Sequence, residues 1–142
     1  MHKLFPGVAS VTFDFPIIVR VEGEQSLFFN VKDKGIVIVT GCCHRGIIYL
    51  SEFAQKTFKN GNNLYGIYGG LHIDPFDKWT PKAQKVVKDL GKFQYKKIAA
   101  NHCTGHKAIH QMVALGYPVV KGSGRNGSKS KEYVGNGDTV VF

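Results

Sequence analysis

Residues 35–47, GIVIVTGCCHRGI, join a short apolar run to an abrupt stop. The run is rich in β-branched residues and short, so it reads as a strand. It is apolar on both faces, which asks for cover on both sides. Gly41 permits a sharp exit that presents Cys42, Cys43 and His44 on a loop, and a helix begins at Ile47. Two later segments end in the same way. LYGIYGGLH leads to His72, and KKIAANHCTG leads to His102. In α/β sheets, ligands collect where strands end and helices begin. The recurrence of metal-binding or nucleophilic residue types at three such ends is therefore a site pattern.

The rest of the chain fits around these three units. Residues 8–31 read as β, through VASVTFDF, IIVRVE and SLFFNV. The KDKG segment before Ile36 is a turn, so SLFFNV and GIVIVT should form a hairpin. From residue 47 the period changes. Apolar residues Ile47, Leu50, Phe53, Ala54 and Phe58 have helical spacing, and Asn60-Gly61 should end that helix. Thr80 is a candidate N-cap with Pro81 at the first helical position, opening a helix through PKAQKVVKDLGKF. A third helix is expected in GHKAIHQMVALG, and YPVVKG and DTVVF are expected as short closing strands. A β-meander followed by alternating helices and strands predicts a single α/β layered domain over residues 1–142. The helices should cover one sheet face, leaving the other to a different cover.

Composition narrows the function classes. No apolar run approaches the ~20 residues needed to cross a bilayer, which gives no membrane role. Three cysteines, two of them adjacent, do not make a disulfide framework, so reduced thiols and a cytoplasmic location are expected. The net charge of +9 suits a solvated lysine surface, a phosphorylated substrate or nucleic acid. The densest basic group, in GRNGSKSK, lacks the interleaved aromatics of a base-stacking platform, which disfavours nucleic acid.

Among the individual residues, His44, His72 and His102 are the leading site candidates. Thiolate and imidazole both suit zinc or iron. Cys42 reads either as a ligand or as a small buried hydrophobe, and Cys43 as the latter. Asp74, just before Pro75, reads as a turn residue. The backbone N–H groups after Thr104 could receive an anion. No CxxC or HExxH motif is present, so the signal lies in the recurrence alone.

QSLFFNVKDKGIVIVTGCCHRGI, followed by YGIYGGLH and NHCTGHKA, resembles the C-terminal half of the metallo-β-lactamase superfamily. The closest branch is that of metal-dependent hydrolases related to dihydropterin–ribofuranosylaminobenzene phosphate synthase. The resemblance implies the C-terminal half of a four-layer αββα sandwich with a metal site at one edge of its sheets. It implies His44 and His102 as metal ligands, Cys42 where many members carry an acidic bridging ligand, and His72 as metal-facing or substrate-facing. Thr104, Gly105, Gly70 and Arg45 become candidate substrate contacts. A divalent metal is implied, zinc first, with iron or manganese as alternatives, or a site that has lost its metal. The substrate would be a small, phosphorylated molecule. The superfamily's HxHxDH motif, which belongs to the N-terminal half, does not occur in this sequence. The expectation is therefore a half-length or split domain, completed by a second copy in a homodimer or by a separate N-terminal half-protein. A non-catalytic homodimeric binding module that keeps the fold is the alternative, and nucleic-acid binding a weaker one.

Overall fold

The β-branched and aromatic runs pair through the turn at KDKG. The computed structural model describes residues 1–14, 23–124 and 131–142. Within these, β1 (His2–Phe5), β2 (Val8–Phe13), β3 (Glu24–Val31) and β4 (Gly35–Thr40) form an antiparallel meander. β5 (Leu64–Gly70) and β6 (Lys97–Asn101) then add in parallel, giving one sheet in sequence order. β1 was not anticipated from the sequence. The expected strand in IIVRVE falls outside the described residues, as does most of the basic loop GRNGSKSK.

Three helices return the chain to this sheet: α1 (Ile47–Thr57), α2 (Pro81–Leu90) and α3 (His106–Ala114). Thr80 caps α2 by accepting the Ala83 amide at 3.2 Å, and Pro81 opens the helix as read from the sequence. A single 3₁₀ turn at Gly91–Phe93 completes the PKAQKVVKDLGKF segment. α1 stops three residues before Asn60, because Phe58 is already extended.

α1 and α2 link neighbouring parallel strands that advance in one direction, so both pack on the same face. Phe28, Ile38, Ile67 and Ile98 from the sheet meet Leu50, Val87 and Met112 from the helices in one buried core. Each such side chain contributes roughly 1.5–3 kcal/mol on burial. A polar pair is built into this core. The Ser51 hydroxyl donates to the Ile47 carbonyl at 2.7 Å and lies 2.7 Å from the Tyr95 hydroxyl. Among the described residues no buried side-chain N or O lacks a partner.

The opposite sheet face is less covered. Along β3, Ser26 and Phe28 are buried while Leu27, Phe29 and Val31 are only partly so, the alternation of a strand with one covered face. Val39 and Tyr68 continue the partly exposed stripe on β4 and β5. Neither expected closing strand, YPVVKG or DTVVF, forms. Val119 makes only an isolated bridge to Ile98, and residues 138–142 form no strand. The C-terminal segment instead reaches β5, where a side chain at position 66 would collide with the Phe142 ring. Lys34 and Lys97 hold it by donating to the Phe142 and Val141 carbonyls. Among the described residues, no helix is long and apolar enough to cross a membrane.

Burial pushes the Tyr95 hydroxyl well above the ordinary phenol range, with the Ser51 hydroxyl opposing part of that shift. The folded state therefore holds this proton more tightly than the unfolded chain does. Its stabilising contribution is complete below the unfolded phenol pKa of about 10 and is lost as pH rises beyond it. Urea titrations across that range should show stability falling, and Tyr95→Phe should make the fall shallower at a cost near ~1 kcal/mol at neutral pH. An unchanged alkaline slope in the variant would contradict this role.

Candidate metal centre

The parallel register sets the carboxyl ends of β4, β5 and β6 level. Thr40 lies opposite Gly69, and Gly69 opposite Ala100. The next two or three residues of each strand end therefore leave the sheet at the same edge. The glycine pair makes the close approach possible. Gly69 has φ +127, and a side chain there would run into the Thr40 carbonyl. A Cβ at Gly70 would stand 2.6 Å from the Gly41 carbonyl and 2.9 Å from Cys103 Sγ.

At each of the three ends a non-glycine residue takes the left-handed conformation: Cys43 (φ 59), His72 (φ 47) and His102 (φ 51). Each costs about 1–2 kcal/mol relative to ordinary backbone. Such strain persists where the surroundings over-determine it, and it clusters at functional sites. At the first end it also separates two adjacent thiols. Cys43 turns into the core and is 0% exposed, while Cys42 remains half-buried at the sheet edge. Burial pushes the Cys43 thiol well up, as expected for a structural cysteine.

The structure brings Cys42, His72 and Cys103 together. Cys42 Sγ lies 3.3 Å from His72 Nδ1 and 2.9 Å from Cys103 Sγ. The Cys103 thiol also donates to the Cys42 carbonyl at 3.2 Å. One ligand atom from each of the three residues falls within 4.8 Å of the others. Burial, with the Cys103 thiol and then the Glu24 charge adding to it, pushes the Cys42 thiol up to about 12. Burial and the neighbouring His44 push His72 below its ordinary pKa, toward the neutral imidazole that ligates metals.

His44 stands beside this group. Its ring centroid is 4.6 Å from that of His72, and its Nδ1 is 3.1 Å from Glu24 Oε1. The same carboxylate accepts from the His44 amide at 2.7 Å and from the Cys42 amide at 3.2 Å. Glu24 thus clasps the whole turn that carries Cys42. His102 is exposed, next to Gly70, and its charge adds to the depression of the His72 pKa.

Two residues here were missed in the sequence. Cys103 was passed over for its neighbour His102, although a 3₁₀ turn at His102–Thr104 turns the cysteine inward. Glu24 had a readable signal. The β3–β4 register pairs Ser26 with Thr40, which sets Glu24 level with Cys42 two residues beyond the last pair.

Other candidates have structural tasks. Thr104 is 0% exposed; its hydroxyl accepts from the Leu71 amide at 3.0 Å and donates to the Asn101 carbonyl at 2.7 Å. Gly105, at φ +87, fits against Asp74, whose backbone a side chain there would strike. The amide after Gly105 is not open to an anion: His106 N donates to Asp77 Oδ1 at 2.9 Å. The Thr104 hydroxyl and the His106 amide are thus engaged within the protein. Asp74 is the turn residue it was read as, its carboxylate accepting the Lys78 and Trp79 amides at 2.9 Å each. Arg45 stacks over the Tyr49 ring, 4.6 Å from its centroid.

These features can be set against known proteins. No protein-family model matches the chain. It is 36% identical over 92 residues to the 7,8-dihydropterin-6-methyl-4-(β-D-ribofuranosyl)-aminobenzene-5′-phosphate synthase of Methanocaldococcus jannaschii, covering 65% of this chain and 30% of that protein. It is 33% identical over 97 residues to an uncharacterized protein of the same organism, covering 68% of this chain and 34% of the other. The chain thus spans about a third of the length of the curated relatives it matches. Among solved structures, it superposes with a TM-score of 0.57 on Tm1679, described as a metal-dependent hydrolase of the β-lactamase superfamily. That match has 29% identity and covers 66% of this chain and 34% of the other. In sequence and in fold, the chain resembles a metallo-β-lactamase superfamily hydrolase, and its mixed six-stranded sheet with three helices is part of that fold.

Proposed function

We propose that this chain is one portion of a metal-dependent hydrolase, and that Cys42, His72 and Cys103 are its contribution to the metal centre. The convergence of their ligand atoms within 4.8 Å at three level strand ends carries this reading. The donor set fits a divalent ion. Two sulfurs and one imidazole nitrogen suit zinc best, since thiolates favour it over manganese or magnesium. Three protein ligands are also the number a catalytic zinc site uses, with the fourth position left open. When bound, such an ion would supply Lewis-acid polarisation of an ester, amide or phosphoester bond.

The chain's own residues do the rest. Glu24 fixes the turn that aims Cys42 and holds the His44 ring beside that of His72. His44 and exposed His102 flank the three-residue set, placed to contact substrate or a further ion. The +9 charge favours an anionic, phosphorylated small molecule, in keeping with the phosphate in the name of the synthase relative. The partly exposed stripe of Leu27, Phe29, Val39 and Tyr68 is the surface on which a second sheet would pack, from a second copy or from a polypeptide carrying HxHxDH.

Elemental analysis of protein purified without chelator should find about one zinc per chain. Cys42→Ser, Cys103→Ser and His72→Ala should each weaken zinc binding by roughly a hundredfold, a quarter or so of a typical structural-zinc free energy. His102→Ala should weaken it far less. Equal zinc affinity in all four variants would overturn the ligand set.

Light scattering on the isolated chain should give a mass above that of the monomer, and Phe29→Asp should return it to the monomer. A monodisperse wild-type monomer would count against a second copy as the cover of this face.

A further inference from the structure

We propose that Cys42 and Cys103 form a redox-active dithiol, closing into a disulfide by exchange with a low-molecular-weight disulfide. The two sulfurs are 2.9 Å apart although 61 residues separate them in the chain. Bond formation needs them to approach by about 0.9 Å, given a disulfide length near 2.05 Å. The fold has already met the entropic cost of bringing the two ends together, so closure within the folded chain is favoured over pairing with outside thiols.

The partners are singled out by the geometry. Gly70 leaves the space Cys103 occupies, since a Cβ there would stand 2.9 Å from its sulfur. Cys43 is adjacent in sequence but faces the core at 0% exposure. Half-buried Cys42 is the sulfur that an external reagent meets first, and Cys103, 9% exposed, lies behind it.

The exchange proceeds in two balanced steps. The Cys42 thiol gives up its proton to the buffer, and its sulfur attacks one sulfur of glutathione disulfide. One glutathione leaves as thiolate and takes a proton back from the buffer. The Cys103 sulfur then attacks Cys42 Sγ and displaces the second glutathione, which leaves with the Cys103 proton. The protein loses two hydrogens and two electrons, and one glutathione disulfide becomes two glutathiones. Closure also removes two of the three ligand atoms of the metal centre. That consequence rests on the reading proposed above, whereas the disulfide itself rests only on the sulfur geometry.

The test is to equilibrate metal-free protein anaerobically in glutathione buffers of increasing oxidised fraction, then alkylate and map peptides by mass. With glutathione disulfide in excess, most chains should carry a Cys42–Cys103 crosslink, with Cys43 alkylated after unfolding. Cys103→Ser should stop at a glutathione adduct on Cys42, and Cys42→Ser should form neither product. Circular dichroism confirms that both variants are folded. Thiols that stay reduced in pure glutathione disulfide, or crosslinks that include Cys43, would overturn the proposal. A parallel series with zinc separates the two claims. Zinc should suppress the crosslink at least tenfold. Closure at the same rate with zinc present would overturn the coupling to metal and the ligand set with it, while leaving the dithiol in place.

Discussion

The level register of three parallel strands is the constraint on which this structure depends. β4, β5 and β6 pair so that Thr40, Gly69 and Ala100 form one row across the sheet. Cys42, His72 and Cys103 follow two or three residues later, so they meet at one edge. A shift of any strand by a single residue would reverse its side chains and remove its ligand from the group. The buried residues Ile38, Ile67 and Ile98 hold that register by facing the helices, which ties the core directly to the site. Packing on one side of the sheet thus decides what chemistry is available at its end.

The turn geometry adds a second layer. Three left-handed residues, Cys43, His72 and His102, stand where the strands stop. Hydrogen bonds compensate them locally. Glu24 accepts from two amides of the first turn, and buried Thr104 bridges the second and third by bonding both Leu71 and Asn101. Glu24 reaches this position through the hairpin register, not through proximity in sequence.

The strong periodic elements were legible in the sequence. The hairpin around KDKG, the cap and proline of α2 and the three strand ends follow from local rules, and so do the helices packed on one face. The unread parts depend on contacts far apart in the chain. β1 is exposed along its whole length and lacks the alternation that marks a buried strand. The segment DTVVF has strand-like residues, but no strand edge takes it up. At the site, His102 and Cys103 are equally plausible ligands by residue type. Only the 3₁₀ turn, which leaves the histidine exposed and the cysteine buried, separates them. Asp77, from another loop, accepts the His106 amide at the start of α3, a contact that no local pattern in the sequence announces.

Cobalt substitution tests the central claim most directly, because thiolate-to-cobalt charge transfer reports sulfur ligation itself. The account predicts a stoichiometric Co²⁺ complex whose near-ultraviolet absorption is about twice as intense in the wild type as in Cys42→Ser or Cys103→Ser. It also predicts that Cys43→Ala leaves the band unchanged. A cobalt complex without that band, or one equally intense in all three variants, would show that these sulfurs do not hold the metal.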